Sequence, residues 1–207
     1  MEIIDSFSKL TLGKYEEILA IANDDALEDI DKTIGILSVL TGATEDEISH
    51  LPIAEFTMLS AKSKFLQATD FKAGRMARKY KIADWELIPV SDYRKLETAQ
   101  YIDFKTYASE MEGHMVELIS VILVPKGHRY NEGYDIIELQ KAIRENMSVT
   151  DGATIVGFFF VWSQRLMADS LRYCRREAER IKDREKREKV LKMVEEQEMR
   201  LGTSGDG

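Results

Sequence analysis

The 207 residues are 44% hydrophobic and 32% charged, with a formal charge of −8 and a single cysteine. That balance allows a sizeable buried core and excludes wholesale disorder, and the lone Cys174 excludes an intrachain disulfide or a multi-cysteine metal site and suits a reducing compartment. No apolar run approaches the roughly 20 residues of a spanning helix, residues 1–12 lack the basic-then-apolar order of a secretory leader, and the net charge repels nucleic acid and anionic membrane at long range.

In chain order, residues 6–23 carry Leu10, Leu12, Tyr15, Ile18, Leu19 and Ala22 at spacings of three and four, which predicts a helix. Asp24 and Asp25 offer an N-cap for a second helix, striped by Leu27, Ile30, Ile34, Ile36, Leu37 and Leu40 and closed by Gly42. Thr44 with Glu47 is a capping-box pattern opening a short helix to Leu51. Pro52 then begins a fourth helix through Ile53, Phe56, Leu59, Phe65 and Leu66. From Phe71 the pattern changes. Residues 80–82 and 85–89 alternate and hold aromatic and β-branched side chains, which predicts a small two-stranded element. Residues 92–97 and 98–108 suit short helices, the second with Tyr101, Phe104 and Tyr107 on one face.

Residues 111–124 are mostly apolar and fit either a buried helix or a central strand, length favouring helix. Pro125-Lys126-Gly127 ends that run, residues 127–135 form a polar, aromatic loop, and Asp135 caps a helix through Asn146. Asp151-Gly152 is expected to start a last long helix, very apolar from Ile155 to Leu171 and almost wholly charged beyond. Residues 172–200 hold 11 basic and eight acidic side chains, a net of +3, whereas the chain before them holds 18 and 28, a net of −10. In that charged stretch Asp183–Arg187, Glu185–Lys189 and Glu188–Lys192 are acidic-to-basic i,i+4 pairs able to sustain a helix in solvent. Ile181, Val190, Leu191 and Val194 are too sparse for a coiled-coil seam. The reading is therefore a mainly α fold with a small β element: an N-terminal helical bundle (1–72), a small mixed α/β segment (73–109), a C-terminal helical part with an exposed charged helix (110–201) and a flexible tail (202–207).

Catalytic chemistry is hard to find. His50, His114 and His128 are scattered and match no metal spacing, and GHRYNEG over residues 127–133 lacks the phosphate-loop pattern. Ser60 and Ser163 have no base at a recognisable spacing. Asp24, Asp25, Glu28, Asp29 and Asp31 lack the order of a calcium loop, so a solvated acidic face is favoured. Cys174 lies near Arg172, Arg175 and Arg176 but has neither a histidine nor a resolving cysteine, and reads as a half-buried small residue. No catalytic residue, cofactor or metal ligand is assigned, and the chain is not expected to be an enzyme. Arg172, Arg175, Arg176 and Arg180 share roughly one helical side and are the candidate contacts to a partner protein or to nucleic acid. Interleaved glutamates favour a salt-bridged exposed helix over a nucleic-acid surface. The run from Phe158 to Trp162 is apolar on all sides and demands burial, in this chain or against another.

Three phrases carry a likeness: LTLGKYEEILAI followed by DIDKTIGILSVLTGATEDEISHLPIAEF; ETAQYIDFKTY; and LISVILVPKGHRYNEGYD followed by GFFFVWSQ. Spread from Leu10 to Gln164, they resemble small virion-assembly proteins of tailed bacteriophages, especially phages of Bacteroidetes hosts. The resemblance implies a tail assembly chaperone, holding an aggregation-prone tape-measure protein and recruiting tail-tube subunits. The alternative it implies is a stable virion component such as a ring, connector or packaged cargo protein. Expected partners are other phage structural or assembly proteins and further copies of the chain, in the host cytoplasm or the virion, with no membrane. Apart from the resemblance, the arginines leave a nucleic-acid-associated regulator as the third reading.

Overall fold

The computed structural model describes residues 1–68, 74–90, 95–109 and 113–203. The protein is mainly helical with one small antiparallel sheet, and it divides into two compact units, Met1–Gly157 and Phe158–Gly207. Among the described residues no helix is long and apolar enough to cross a membrane.

The first unit opens with α1 (Leu12–Ala22), α2 (Asp29–Thr41), α3 (Glu45–Ser49), α4 (Ile53–Lys62) and a 3₁₀ turn at Ser63–Gln67. Four helices were expected here, with different edges. Helix α1 starts at Leu12 because Thr11 is extended and its side chain accepts from the Lys14 amide, while residues 6–10 turn back on the Ser6 carbonyl. Asp24 does not cap α2. Its carboxylate accepts from the Ala26 amide and folds the connecting turn instead, and α2 begins after Glu28 without a side-chain cap. Gly42 closes α2 in the left-handed region at φ 73°, where a Cβ would be strained. The capping box forms in both directions, Thr44 Oγ1 accepting from the Glu47 amide and Glu47 Oε2 from the Thr44 amide, and the Thr44 amide and hydroxyl, both donating to that carboxylate, hold it below its ordinary value.

The predicted hairpin is present. Strands β1 (Tyr80–Ile82) and β2 (Trp85–Pro89) pair antiparallel across a two-residue turn in which Ala83 takes φ 48°. A third strand, β3 (Leu123–Pro125), pairs with β2 in the register Leu87↔Pro125, Ile88↔Val124 and Pro89↔Leu123. The sheet order is therefore β1-β2-β3, and the long apolar run divides into a helix and a strand. Helix α5 (Thr98–Ser109) matches the expected one, but of its three aromatics only Phe104 is deeply buried, and Tyr101 is 39% exposed. The helix expected at 92–97 lies partly outside the described residues.

Helix α6 (Met115–Ile122) runs straight into β3 and is the centre of the unit. Val116, Leu118, Ile119, Ser120, Val121 and Ile122 are all fully buried. Ser120 and the end of the helix backbone are satisfied: Ser120 Oγ donates to the Glu117 carbonyl and accepts from Gln140, and the Gln100 amide donates to the Val121 carbonyl. Helix α7 (Ile136–Asn146) is capped by Asp135, whose carboxylate accepts from the Ile137 and Glu138 amides. Backbone bonds Leu12 N to Met147 O and Val149 N to Leu10 O then tie the start of α1 to the chain after α7.

Helix α8 (Val149–Glu179) starts two residues before Asp151, and Ser148 Oγ accepts from the Asp151 amide. The single long helix expected to the end is in fact two, because the helical bonding lapses at residues 180–183 and α9 (Arg184–Thr203) begins afresh. Asp183 is the reason for the restart: its side chain accepts from the Lys186 amide, an N-cap bond, in place of the expected pair with Arg187. Helix α9 extends through Gly202 and Thr203, so those two residues are helical; residues 204–207 lie outside the described ones. Most side chains of α9 are exposed, with Val194 buried and Val190 and Leu191 half-buried. The Phe158–Trp162 run is not uniformly covered. Phe159 is buried, but Phe158 is 36% and Val161 50% exposed; the Trp162 side chain lies outside the description.

Candidate functional site

The four arginines sit near the end of α8 and just beyond it. Arg172, Arg176 and Arg180 are exposed and Arg175 is half-buried. Arg180 donates to Glu177 Oε1 at 2.7 Å, and Arg176 Nε reaches the Arg172 carbonyl at 3.4 Å, so part of this charge is engaged along the helix itself. A surface ion pair of this kind contributes little to stability. Cys174 is exposed, contrary to the half-buried position expected.

The other residues singled out serve local structure. His50 Nδ1 lies 2.7 Å from the Asp46 carbonyl at the end of α3. Ser60 and Ser163 donate to the Phe56 and Phe160 carbonyls one turn back. Residues 127–133 form a locked loop. Gly127 and Gly133 take φ 84° and 78°, and Tyr134 Oη accepts from the Asn131 amide. Tyr130 donates to Asp103 Oδ2 at 2.8 Å, and burial, reinforced by that carboxylate, pushes its hydroxyl far above the usual phenol range. Lys126 just before this loop and Arg129 within it face Glu86 and Glu97 at 2.9 and 3.8 Å. Of the acidic side chains at 24–31, Asp29 and Asp31 occupy the first turn of α2, where the helix dipole favours them.

The first unit holds one arrangement the sequence reading did not anticipate. A cavity of about 510 Å³ opens along α1, lined among the described residues by Leu12, Tyr15, Glu16, Leu19, Ala20 and Asn23, with Gly113 and Met115 opposite. The lining is mostly apolar, its polar side chains being Glu16, Asn23 and the Tyr15 hydroxyl. The Glu16 carboxylate accepts from Arg144 Nε through Oε2 at 2.8 Å, while Arg144 Nη2 lies 3.6 Å from Glu117 Oε1. Glu117 Oε2 in turn stands 3.9 Å from His114 Nδ1, and the His114 ring packs on Tyr107. Two carboxylates thus share one guanidinium, and the trio carries one excess negative charge. Glu16 Oε1, Glu117 Oε2 and His114 Nδ1 are buried atoms with no hydrogen-bond partner among the described residues. Buried polar atoms are normally bonded, which makes this the least satisfied polar cluster described.

The elements explain the placement. Glu16 faces inward one turn after Leu12, and Glu117 is the one charge in the apolar run of α6. Arg144 reaches both from the last turn of α7, which approaches α1 closely because position 13 is glycine: a Cβ there would lie 2.8 Å from Arg144 Cγ. The readable signal was Glu117, an acidic residue inside an otherwise buried helix. Its partners come from positions 101 residues before and 27 after it, beyond any local pattern. What the arrangement offers chemically is an apolar cleft with one acidic corner, suited to a hydrophobic group carrying a cation. Comparison of the chain with family models, with curated proteins and with solved structures finds no match in any of the three.

Proposed function

We propose that this chain is a bacteriophage morphogenesis protein acting as a tail assembly chaperone, a non-catalytic holder of another virion protein. The observation that carries the reading is the α1 cavity, mostly apolar and opening between exposed Leu19, Ala20 and Asn23. A holder needs a cleft that grips apolar side chains and releases them, and clefts of this kind receive the anchors of an amphipathic helix. The three sequence phrases resembling tailed-phage assembly proteins supply the biological setting. The four α8 arginines are a second, polar contact surface in this reading.

A stable virion component is the second reading, favoured by α9, where Met193 and Met199 are 59% and 65% exposed on a charged helix. Such side chains suit a permanent contact with a neighbouring subunit. Quantitative mass spectrometry of purified particles beside lysate of the same infected cells separates the two. The chaperone reading expects abundance in lysate and absence from particles. A reproducible integer copy number per particle overturns it in favour of a structural role, and detection in neither overturns the phage assignment.

A further inference from the structure

We infer that the α1 cavity receives a basic amphipathic helix of the partner protein, an apolar side chain entering beside Tyr15, Leu19 and Met115 while a Lys or Arg one turn away meets Glu16. The inference rests on the assembly reading and adds the chemistry of the segment held. Shape gives the first argument. The lining follows α1 from Leu12 to Asn23, so the cleft runs about 16 Å along the helix, three turns, a better match to another helix than to a compact small molecule.

Charge gives the second argument. The Glu16–Arg144–Glu117 trio is one cation short, and Glu16 is the member that lines the cavity. A cationic side chain entering beside Glu16 meets that excess negative charge. The surroundings repeat the sign. Residues 1–50 hold 12 acidic and three basic side chains, and Asp24 and Asp25 follow directly on Asn23 at the cavity's end. An acidic or neutral helix finds only repulsion or unpaired charge here, whereas a basic one is steered in.

The test is fluorescence anisotropy with the full-length protein and two labelled peptides of about 18 residues, five turns. Both carry leucines at helical spacing; one has lysines and arginines on its other face, the second glutamates. The basic peptide is expected to bind and to weaken with added salt, and the acidic one not to bind. Glu16→Gln is expected to weaken the basic peptide roughly ten-fold, the effect of losing one charged hydrogen bond. Ala20→Trp, an exposed position at the mouth, is expected to abolish binding, and circular dichroism melts verify that both variants fold. Equal binding of the two peptides, or full binding by Ala20→Trp, overturns the site. If Glu16→Gln unfolds the protein, Ala20→Trp alone decides. Failure here with a chaperone-like distribution between lysate and particles sinks the site and leaves the assembly reading standing. Binding here with an integer copy number in particles does the reverse.

Discussion

Ile119 and Met193 are both apolar residues in the middle of helices, yet the first is fully buried and the second 59% exposed. The contrast extends to the units that contain them. In Met1–Gly157, α6 is surrounded on all sides, so α1, α5, α7 and the sheet are held by shared burial of side chains. In Phe158–Gly207, α9 has few buried side chains and a lattice of charges, including Arg184 to Glu188 at 2.9 Å. The lesson is that one chain makes helices by two routes. Tertiary packing can impose helix on a sequence that is equally fit for strand, whereas caps and ion pairs sustain only what local preference already favours.

The sharpest way to break that comparison is truncation in each unit. Ile119→Ala is expected to cost about 3 kcal/mol and lower the melting temperature by about 8 °C, since the site is enclosed and cannot collapse freely. Met193→Ala is expected to change stability by less than about 0.5 kcal/mol. Comparable losses in the two variants mean that α9 depends on packing as α6 does.

Gly13→Ala probes the next largest effect, the close approach of α1 and α7. Its Cβ would meet Arg144 Cγ at 2.8 Å and the Arg144 carbonyl at 3.1 Å. Alanine ordinarily favours helix over glycine by about 1 kcal/mol, so the expected net loss of about 1–2 kcal/mol runs against propensity. A stabilised variant in thermal melts removes the close contact, and with it the placement of Arg144 between the two carboxylates.

The same distinction explains what could be read in the sequence. Features fixed by neighbours in the chain were legible: the Thr44–Glu47 capping box, the Gly42 stop, the hairpin at 80–89 and the Asp135 cap all stand where pattern put them. Strand β3 was not, because Leu123, Val124 and Pro125 continue an apolar run whose switch from helix to strand is made by pairing with β2. The break before α9 was missed for a different reason. Asp183 reads equally well as an ion-pair partner or an N-cap, and the four-residue spacing to Arg187 favoured the first. The cavity and its acidic corner join α1, α6 and α7, and only Glu117 betrayed them locally.

Alkaline titration sharpens the account of the first unit. Burial raises the hydroxyls of Tyr80, Tyr130 and Tyr134, most strongly at Tyr130, where Asp103 adds to it. A group raised in the folded state contributes stability that is complete below its unfolded value, near pH 10, and declines as pH rises through the folded one. Tyr130→Phe is expected to lose about 1 kcal/mol at neutral pH with the Asp103 bond, yet to show a shallower loss in urea midpoints above about pH 10. An unchanged alkaline slope removes Tyr130 as the main titrating group.

The smallest effect tests the second unit by the means that hold it. Asp183 caps α9 through one bond to the Lys186 amide at 3.1 Å, at an exposed position. Asp183→Ala removes that bond and the favourable charge at the helix start, a local cost of about 1 kcal/mol. Because the cap acts on one exposed helix end, the principal melting transition is expected to stay within about 2 °C. Amide exchange in residues 184–192 is expected to quicken about five-fold, the population change that such a local cost implies. Those amides lie within the first turns of α9, where fraying begins once the cap is gone. A drop in the main transition equal to the local cost means that α9 unfolds together with the first unit, and the two routes to helix collapse into one.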